Sequence, residues 1–389
     1  MNKYNFDKLI NRFDGETYKY NVDKDVLPMW VADMDFEVFD KITKAIKARA
    51  DQNCYGYNVV PEKYFLAYKN YWKRHHNVDF EVDECIFCTG VVAAIGAIFS
   101  AFSKQGDRVL LQTPVYHTFF NCINNYHLQA VENHLIYDGK KYSIDYKAFE
   151  RQIKEDNIKI FLLCNPHNPT GYIYSQEELN NIAKICKQNN VLLISDEIHS
   201  EIVSPGYLCH SALEVDEEYL DNVIVLVAGS KCFNIAGLHS SVVVVKNHKM
   251  RDQLQTAIYH NDVGEANHFA CDANVAAFNF GDQWLEQMNE YVEVNKQYVY
   301  RFMEENLPKL NVVISHSTYL LWIDVSKVCD DSEEFSKALQ EKGRLKVSAG
   351  KDFRGDGINF IRLNVATSLD NVKEGCKRLA NFINNGEIH

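Results

Sequence analysis

Lys231, Asp196 and Asn168 are the residues whose types and positions point most directly to chemistry. Each follows a short apolar run of the length typical of a strand that is buried on both faces of a sheet. The runs occupy residues 223–227, 191–194 and 158–163. Because α/β sheets place their ligand sites beyond the carboxyl ends of their parallel strands, we expect these three side chains to meet there.

The three side chains form a set that suits pyridoxal phosphate. A lysine amine can form a Schiff base, a carboxylate can keep a pyridine nitrogen protonated, and an amide can hydrogen-bond a ring oxygen. Taken singly, Lys231 could be a solvated charge, Asp196 a helix N-cap, and Asn168 part of a turn. The order of the three at successive strand ends favours the cofactor interpretation.

Four segments resemble those of a known family. They read LPMWVADMDF, DEIH, SKCFNIAGL and RLNVA, at residues 27–36, 196–199, 230–238 and 362–366. They are similar to the fold-type I pyridoxal-phosphate enzymes of the class I/II aminotransferase group, and within it to the MalY/PatB-type cystathionine β-lyases (cysteine-S-conjugate β-lyases). The resemblance covers nearly the whole chain. It implies an α/β fold in which a large domain with a mainly parallel sheet binds the cofactor and a smaller α/β domain packs beside it.

The apolar patterns along the chain agree with such a fold. Strand-like runs alternate with helical patterns, which predicts a mainly parallel sheet with strands at 85–88, 108–112, 159–164, 191–195, 223–227 and 241–245. Helical patterns are predicted at 36–52 and from 61 to 72, and a long helix from 284 to 305. We predict a large domain at 46–282. The resemblance implies that residues 1–45 join 283–389 in a discontinuous small domain.

Composition limits the classes of function. The chain has 389 residues and a formal net charge of −12, with basic residues scattered, so a nucleic-acid partner is not expected. No apolar run has the length of a membrane span, and the first residues lack the apolar core of a signal peptide, so a cytoplasmic location is expected. The eleven cysteines then are expected to be reduced thiols. Cys85 and Cys88 would point to opposite faces of a strand, and we predict no metal site.

A strand-to-helix turn at residues 89–97 is the candidate phosphate site. Gly90 allows a close turn, and the amides of Val91 and Val92 begin the following helix. The resemblance places the cofactor phosphate here, where Ser230 could add a hydroxyl. Related aminotransferases commonly carry Ser three residues before the lysine and Arg eight residues after it. Ala228 and His239 occupy those positions, so backbone amides must carry more of the binding, and we leave His239 out of the predicted site.

Several further residues take roles that the resemblance implies. Tyr116 occupies the position of a ring-stacking aromatic, although core packing is an alternative. His199 lies where aminotransferases often have Tyr near the ring oxygen, but it could only pack or cap. Arg362 interrupts an apolar run, and its planar guanidinium suits bidentate capture of a substrate carboxylate; a structural ion pair is the alternative. Val31 and Ala32 would line the same end of the pocket through backbone groups.

Tyr57 is predicted to act on a neighbouring subunit. It lies on an expected loop beside Gly56. In the family a tyrosine of this region reaches across a two-fold interface to the partner's cofactor phosphate, so we expect a homodimer with shared active sites. The alternative is an aromatic that only seals the interface.

The expected reaction is β-elimination from an amino acid that carries sulfur on Cβ, such as L-cystathionine. Lys231, Asp196 and Tyr57 are the predicted catalytic residues. An aminotransferase with the same first steps is the close alternative, and composition cannot separate the two. A regulatory protein that retains the fold without turnover is a third possibility, which the presence of Lys231, Asp196 and Arg362 disfavours.

Overall fold

The structure is a computed structural model that describes residues 4–8 and 10–386. The helices are α1 (Asp40–Ala50), α2 (Glu62–His75), α3 (Val91–Phe102), α4 (Thr118–Asn125), α5 (Tyr146–Glu155), α6 (Gln176–Gln188), α7 (Glu217–Leu220), α8 (Gly229–Cys232), α9 (His248–His260), α10 (Ala270–Phe280), α11 (Asp282–Asn306), α12 (Ser332–Glu341) and α13 (Leu369–Asn384).

The strands alternate with these helices through the first two thirds of the chain. They are β1 (Leu27–Pro28), β2 (Cys85–Cys88), β3 (Arg108–Thr113), β4 (Gln129–His134), β5 (Ile136–Tyr137), β6 (Tyr142–Ser143), β7 (Ile158–Cys164), β8 (Leu192–Asp196), β9 (Val223–Val227), β10 (Ser241–Val244), β11 (Asn311–Val312), β12 (Leu320–Asp324), β13 (Leu345–Lys346), β14 (Ser348–Ala349) and β15 (Phe360–Asn364).

A mainly parallel sheet of seven described strands forms the larger layer, in the order β2-β10-β9-β8-β7-β3-β4. The neighbours from β9 to β4 pair in parallel, and β10 is antiparallel to both β9 and β2. In β9, Val225 packs into one apolar cluster and Ile224 and Leu226 into the other, on opposite faces of the sheet. Burial on both faces explains why the central strands are continuous apolar runs, and the predicted fold class is confirmed.

The strand β4 is absent from the strands predicted above. It lies at the edge of the sheet, where only Val131 and Asn133 are buried. Its sequence, QAVENH, carries too few apolar residues to give a strand signal. The first predicted helix also starts later, at Asp40, because Phe39 is extended with ψ of 130°. The long helix is confirmed and runs from Asp282 to Asn306.

The carboxyl-terminal part contains a separate antiparallel sheet, in the order β11-β12-β15-β14. The amino-terminal segment packs with it: β1 pairs in parallel with β13, and the Met29 amide donates to the Lys346 carbonyl at 2.8 Å. The ring of Phe6 lies 5.8 Å from that of Trp284. The domain limits at 45/46 and 282/283 stay a prediction, and α1 crosses the first of them.

None of the helices in the described residues combines the length and apolar character that crossing a membrane requires.

Candidate active site

A cavity of about 260 Å³ lies at the carboxyl ends of β7 and β8 and beside the short helix α8. Its lining brings together most of the predicted site: Ala32, Gly90, Val91, Val92, Tyr116, Asn168, Asp196, His199, Ser230 and Lys231. These residues come from distant parts of the chain, and the parallel strands collect them at one edge of the sheet.

Lys231 lies on α8, directly after β9. Its Nζ donates to the Ala32 carbonyl at 2.7 Å, and the Tyr319 hydroxyl donates to the same carbonyl at 3.0 Å. Burial lowers the pKa of Lys231 to about 8, so a larger share of its amine is neutral near physiological pH than for a lysine in water. A neutral amine is the form that attacks an aldehyde or accepts a proton. Tyr319 was not predicted, since no local pattern singles it out.

Asp196 is the last residue of β8 and is only 5% exposed. Its Oδ1 accepts a hydrogen bond from the Ile198 amide at 3.1 Å. Burial raises the pKa of Asp196 to about 7, and the positive charge of Lys231 opposes that shift. A buried carboxylate of this kind would be stabilised by a cationic partner in the cavity, such as a protonated ring nitrogen.

The candidate phosphate turn also lines the cavity, through Gly90, Val91 and Val92. Gly90 has φ of 161° and ψ of 160°, and the amides of Val91 and Val92 stand in the first turn of α3, where a helix has no carbonyl partner for them. Ser230 also lines the cavity. The exposed side chain of His239 lies on the lining too, although it was left out of the predicted site. Thr89 and Ser240 are lining hydroxyl residues that sequence reasoning missed; Thr89 directly precedes the glycine.

Arg362 lies within β15 and is buried; it does not line the cavity itself but contacts the lining residue Asn168. Its guanidinium donates to Asn168 Oδ1 and to the Trp30 carbonyl, both at 3.0 Å, while Nε has no hydrogen-bond partner. No ion pair joins Arg362 to an acidic residue in the part of the chain that the structure describes, so the structural ion pair is not observed. Burial lowers the pKa of Arg362 to about 10. A buried, uncompensated guanidinium is suited to an anionic ligand.

The remaining predicted residues divide between this site and the surface. His199 is buried on the lining with Nδ1 unpartnered, and burial holds its pKa well below the ordinary value, so the imidazole is neutral. Tyr116 lines the cavity and also packs edge-on against Phe119, with 5.8 Å between the ring centres.

Val31 does not line the cavity; its carbonyl accepts a hydrogen bond from Asn364 Nδ2 at 2.6 Å. Tyr57 is 98% exposed, outside the cavity of its own chain.

Metal ligation has no cluster to support it: among residues 4–8 and 10–386, three or more His, Cys, Asp or Glu side chains do not gather in a metal-binding arrangement. Cys85 and Cys88 pack into apolar clusters on opposite faces of the sheet. The donor set of the cavity instead fits pyridoxal phosphate. It offers an amine, a buried carboxylate, a helix amino terminus for a phosphate, and the unpartnered nitrogen of His199.

Fold and cavity together define an α/β protein that binds a small molecule at the carboxyl edge of its main sheet. The chain belongs to the aminotransferase class I and II family, whose sequence model matches residues 24–379. The resemblance noted in the sequence is thereby confirmed at this level.

Three similar proteins cover nearly the whole chain. Cystathionine beta-lyase PatB of Bacillus subtilis (strain 168) is 31% identical over 96% of this chain and 98% of its own. The structure of the pyridoxal-phosphate-bound C-S lyase from Staphylococcus hominis has a TM-score of 0.92 and 31% identity, covering 98% of this chain and 99% of that one. The structure of cystalysin from Treponema denticola, which contains pyridoxal 5'-phosphate, has a TM-score of 0.94 and 30% identity, covering 98% of this chain and 99% of that one.

Proposed function

We propose that this protein is a pyridoxal-phosphate-dependent carbon–sulfur β-lyase. It would cleave L-cystathionine or related cysteine S-conjugates to a thiol, pyruvate and ammonia. The observation that carries the proposal is the placement of Lys231 and Asp196 on one cavity, with Arg362 bonded to the lining residue Asn168, in a chain that matches carbon–sulfur lyases over almost its full length.

The cofactor-binding residues follow from the cavity. The amides of Val91 and Val92 after Gly90 would hold the phosphate, with help from the Ser230 hydroxyl, and Tyr116 would supply an aromatic face for the ring. Asp196 holds a proton at the ring nitrogen. Because Asn168 Oδ1 accepts from Arg362, its Nδ2 is the atom left to donate to a ring oxygen. The neutral His199 lies on the same lining, and its unpartnered Nδ1 would be available to a polar group of the cofactor.

The same residues then handle the substrate. Pyridoxal phosphate, when bound, supplies an aldehyde that links to amines and a ring that withdraws electrons from Cα. Arg362 binds the α-carboxylate through its planar fork, which orients Cα toward Lys231. The Lys231 amine takes the Cα proton and can return a proton to the sulfur that leaves from Cβ. The Tyr319 hydroxyl donates to the same Ala32 carbonyl and so would help to fix the acceptor of that amine.

The products distinguish a lyase from an aminotransferase. L-Cystathionine and water should give homocysteine, pyruvate and ammonia in equal amounts without any added keto acid. The family also includes aminotransferases, which use the same first steps and then need a keto-acid acceptor. Strict dependence of turnover on a keto acid would contradict the lyase proposal and support that alternative. The Lys231→Ala variant is the control for product formation that does not depend on this active site.

The proposed active unit is a homodimer with shared sites. Tyr57 lies on the segment between α1 and α2 and is almost fully exposed, as expected for a side chain that reaches another subunit. The test mixes Lys231→Ala and Tyr57→Phe chains under conditions that allow subunit exchange. A heterodimer then contains one site with both residues intact, so activity should rise above that of either parent. If no activity returns, Tyr57 does not act across the interface.

A reducing compartment suits this protein, because all eleven cysteines are free and most are buried. We therefore propose a cytoplasmic location, which fractionation of cells that produce the native chain would test.

A further inference from the structure

The segment from Ser195 to Glu201 has two buried sides. Asp196 and His199 line the cavity, whereas Glu197 and Glu201 do not, although they are only 1% and 9% exposed. Carboxylates are rarely buried unless they are paired. We name His76, Glu197, Glu201 and their hydrogen-bonding partners the rear cluster.

Glu201 is held by three donors. His76 Nε2 lies 2.6 Å and Ser200 Oγ 2.9 Å from Oε1, and the Tyr71 hydroxyl donates to Oε2 at 2.7 Å. Tyr71 lies in the last part of α2, and His76 is the residue after that helix. Glu201 therefore joins the cavity segment to a helix that lies more than a hundred positions earlier in the chain.

The protonation of His76 follows from its two contacts. Its Nδ1 lies 3.1 Å from the Cys209 carbonyl, which can only accept, so Nδ1 carries a hydrogen. Its Nε2 faces a carboxylate that already accepts two hydroxyl donors, so an ionised Glu201 requires a hydrogen on Nε2 as well. The geometry describes a buried imidazolium–carboxylate pair.

Glu197 fixes the same segment at a second point. Its Oε1 accepts from Ser195 Oγ at 2.8 Å and from the Ala212 amide at 2.7 Å, and its Oε2 accepts from Ser211 Oγ at 2.7 Å. Glu197, which follows Asp196, and Glu201, which lies two residues beyond His199, are therefore bonded to groups outside the segment. The backbone between these anchors has little freedom to shift.

We propose that His76 and Glu201 are positioning residues of the active site, which hold the 195–201 segment from behind so that Asp196 and His199 keep their places against the cofactor ring. The proposal rests on the proposed function for the cofactor itself. A buried ion pair is a poor source of net stability, since its desolvation offsets much of its attraction. The placement of the pair instead supports a role in fixing the positions of Asp196 and His199. Such a role matters because a displacement of a catalytic group by about 1 Å can cost on the order of a hundred-fold in rate.

The experiment compares Glu201→Gln, Tyr71→Phe and a control with the native holoenzyme. Glu201→Gln keeps the shape of the side chain and removes its charge, and Tyr71→Phe removes one donor. The control is His248→Gln, which removes an exposed pair with Asp252 on α9, 3.0 Å apart. Melting temperature verifies folding. The readouts are the pH titration of the lysine-linked cofactor absorbance, the rate of cofactor dissociation, and kcat separately from KM.

We expect Glu201→Gln to shift the midpoint of the absorbance titration, to speed cofactor dissociation about ten-fold, and to lower kcat more than it raises KM. Tyr71→Phe should show the same changes in smaller degree, and His248→Gln none. A folded Glu201→Gln protein with native titration and dissociation overturns the proposal. If that variant does not fold, unchanged readouts in Tyr71→Phe overturn it instead. A native protein without the lysine-linked absorbance would contradict the proposed function, which is a separate failure.

Discussion

The rear cluster and the cavity lie on opposite sides of one short segment, and they differ in how their buried charges are partnered. In the rear cluster each carboxylate accepts three hydrogen bonds from within the protein. We name Lys231, Asp196, His199 and Arg362 the cavity cluster. In it His199 Nδ1 and Arg362 Nε have no partner, and Lys231 donates only to a backbone carbonyl among the bonds described.

The difference teaches how to distinguish a structural buried charge from a ligand-binding one. Burying a charge costs free energy that some partner must offset. The rear cluster contains its own partners, so its charges serve the protein's geometry. The cavity cluster has such partners only in part and, among the described residues, no ion pair, and its charges are suited to the groups of a ligand: a ring nitrogen, a ring oxygen and a carboxylate.

The largest expected effect comes from the cavity side. Lys231→Ala removes both the cofactor link and the Cα base, so turnover should fall by roughly 10⁴-fold or more, the upper range for a general acid–base group. Borohydride reduction and peptide mapping of the native protein should find the pyridoxyl group on Lys231. An adduct on another lysine would show that Lys231 does not form the link to the cofactor.

The rear cluster should make stability depend on pH. Burial lowers the pKa of His76, but the charge and hydrogen bond of Glu201, the charge of Glu197 and the Cys209 carbonyl together outweigh burial, so the pKa rises to about 9 from an ordinary 6.5. Because the folded value is the higher one, the contribution is complete below pH 6.5 and is lost as pH rises through 9. The pH-dependent part of the stability is about 3 kcal/mol, at about 1.4 kcal/mol per pKa unit; it measures the preference for the charged imidazole and not the net stability of the buried pair.

The measurement is the difference in melting temperature between the native protein and His76→Gln. The groups that face His76 are Glu201, Glu197 and the Cys209 carbonyl. Burial raises the pKa of Glu197 to about 7, so the difference reports on His76 together with both carboxylates. It should be clearly larger at pH 6 than at pH 10, where only the uncharged contacts of His76 are lost, while His248→Gln should give a small difference throughout. A His76 difference that does not change with pH would show that the imidazole is not charged.

Arg362→Lys tests the carboxylate role. Lysine keeps the charge but loses the planar fork, so kcat/KM should drop about a hundred-fold, equivalent to one charge-assisted hydrogen bond of 2–3 kcal/mol. Cofactor absorbance should persist, because the proposed role of Arg362 is to bind the substrate and not the cofactor. Kinetics close to native in the folded variant would count against this role.

The smallest expected effect concerns His239, the exposed residue on the cavity lining. His239→Arg restores the charge that related enzymes carry there, and it should slow cofactor dissociation roughly five-fold, the effect of one partly exposed charge contact of about 1 kcal/mol. The matched change His239→Gln should leave the rate near native. Equal rates in both variants would mean that backbone amides bind the phosphate without help from this position.

The sequence by itself determined the central strands and the residues at their ends. Runs such as Val223–Val227 are apolar throughout because both faces of the strand are buried, and that requirement is visible in a few consecutive residues. The same local signal located Lys231, Asp196 and Asn168 near one another, because parallel strands bring their carboxyl ends to one edge. It failed for β4, whose edge position places few demands on its residues.

Only the tertiary structure decided the contacts between distant segments. The pairing of His76 with Glu201, of Arg362 with Asn168, and of Tyr319 with the Ala32 carbonyl joins residues that are 125, 194 and 287 positions apart. Local patterns place a residue on a strand, helix or turn, but they do not state which other segment lies against it. That choice depends on how the elements pack around the shared sheet, and so the partnering of each buried charge, on which its role depends, was fixed by the fold.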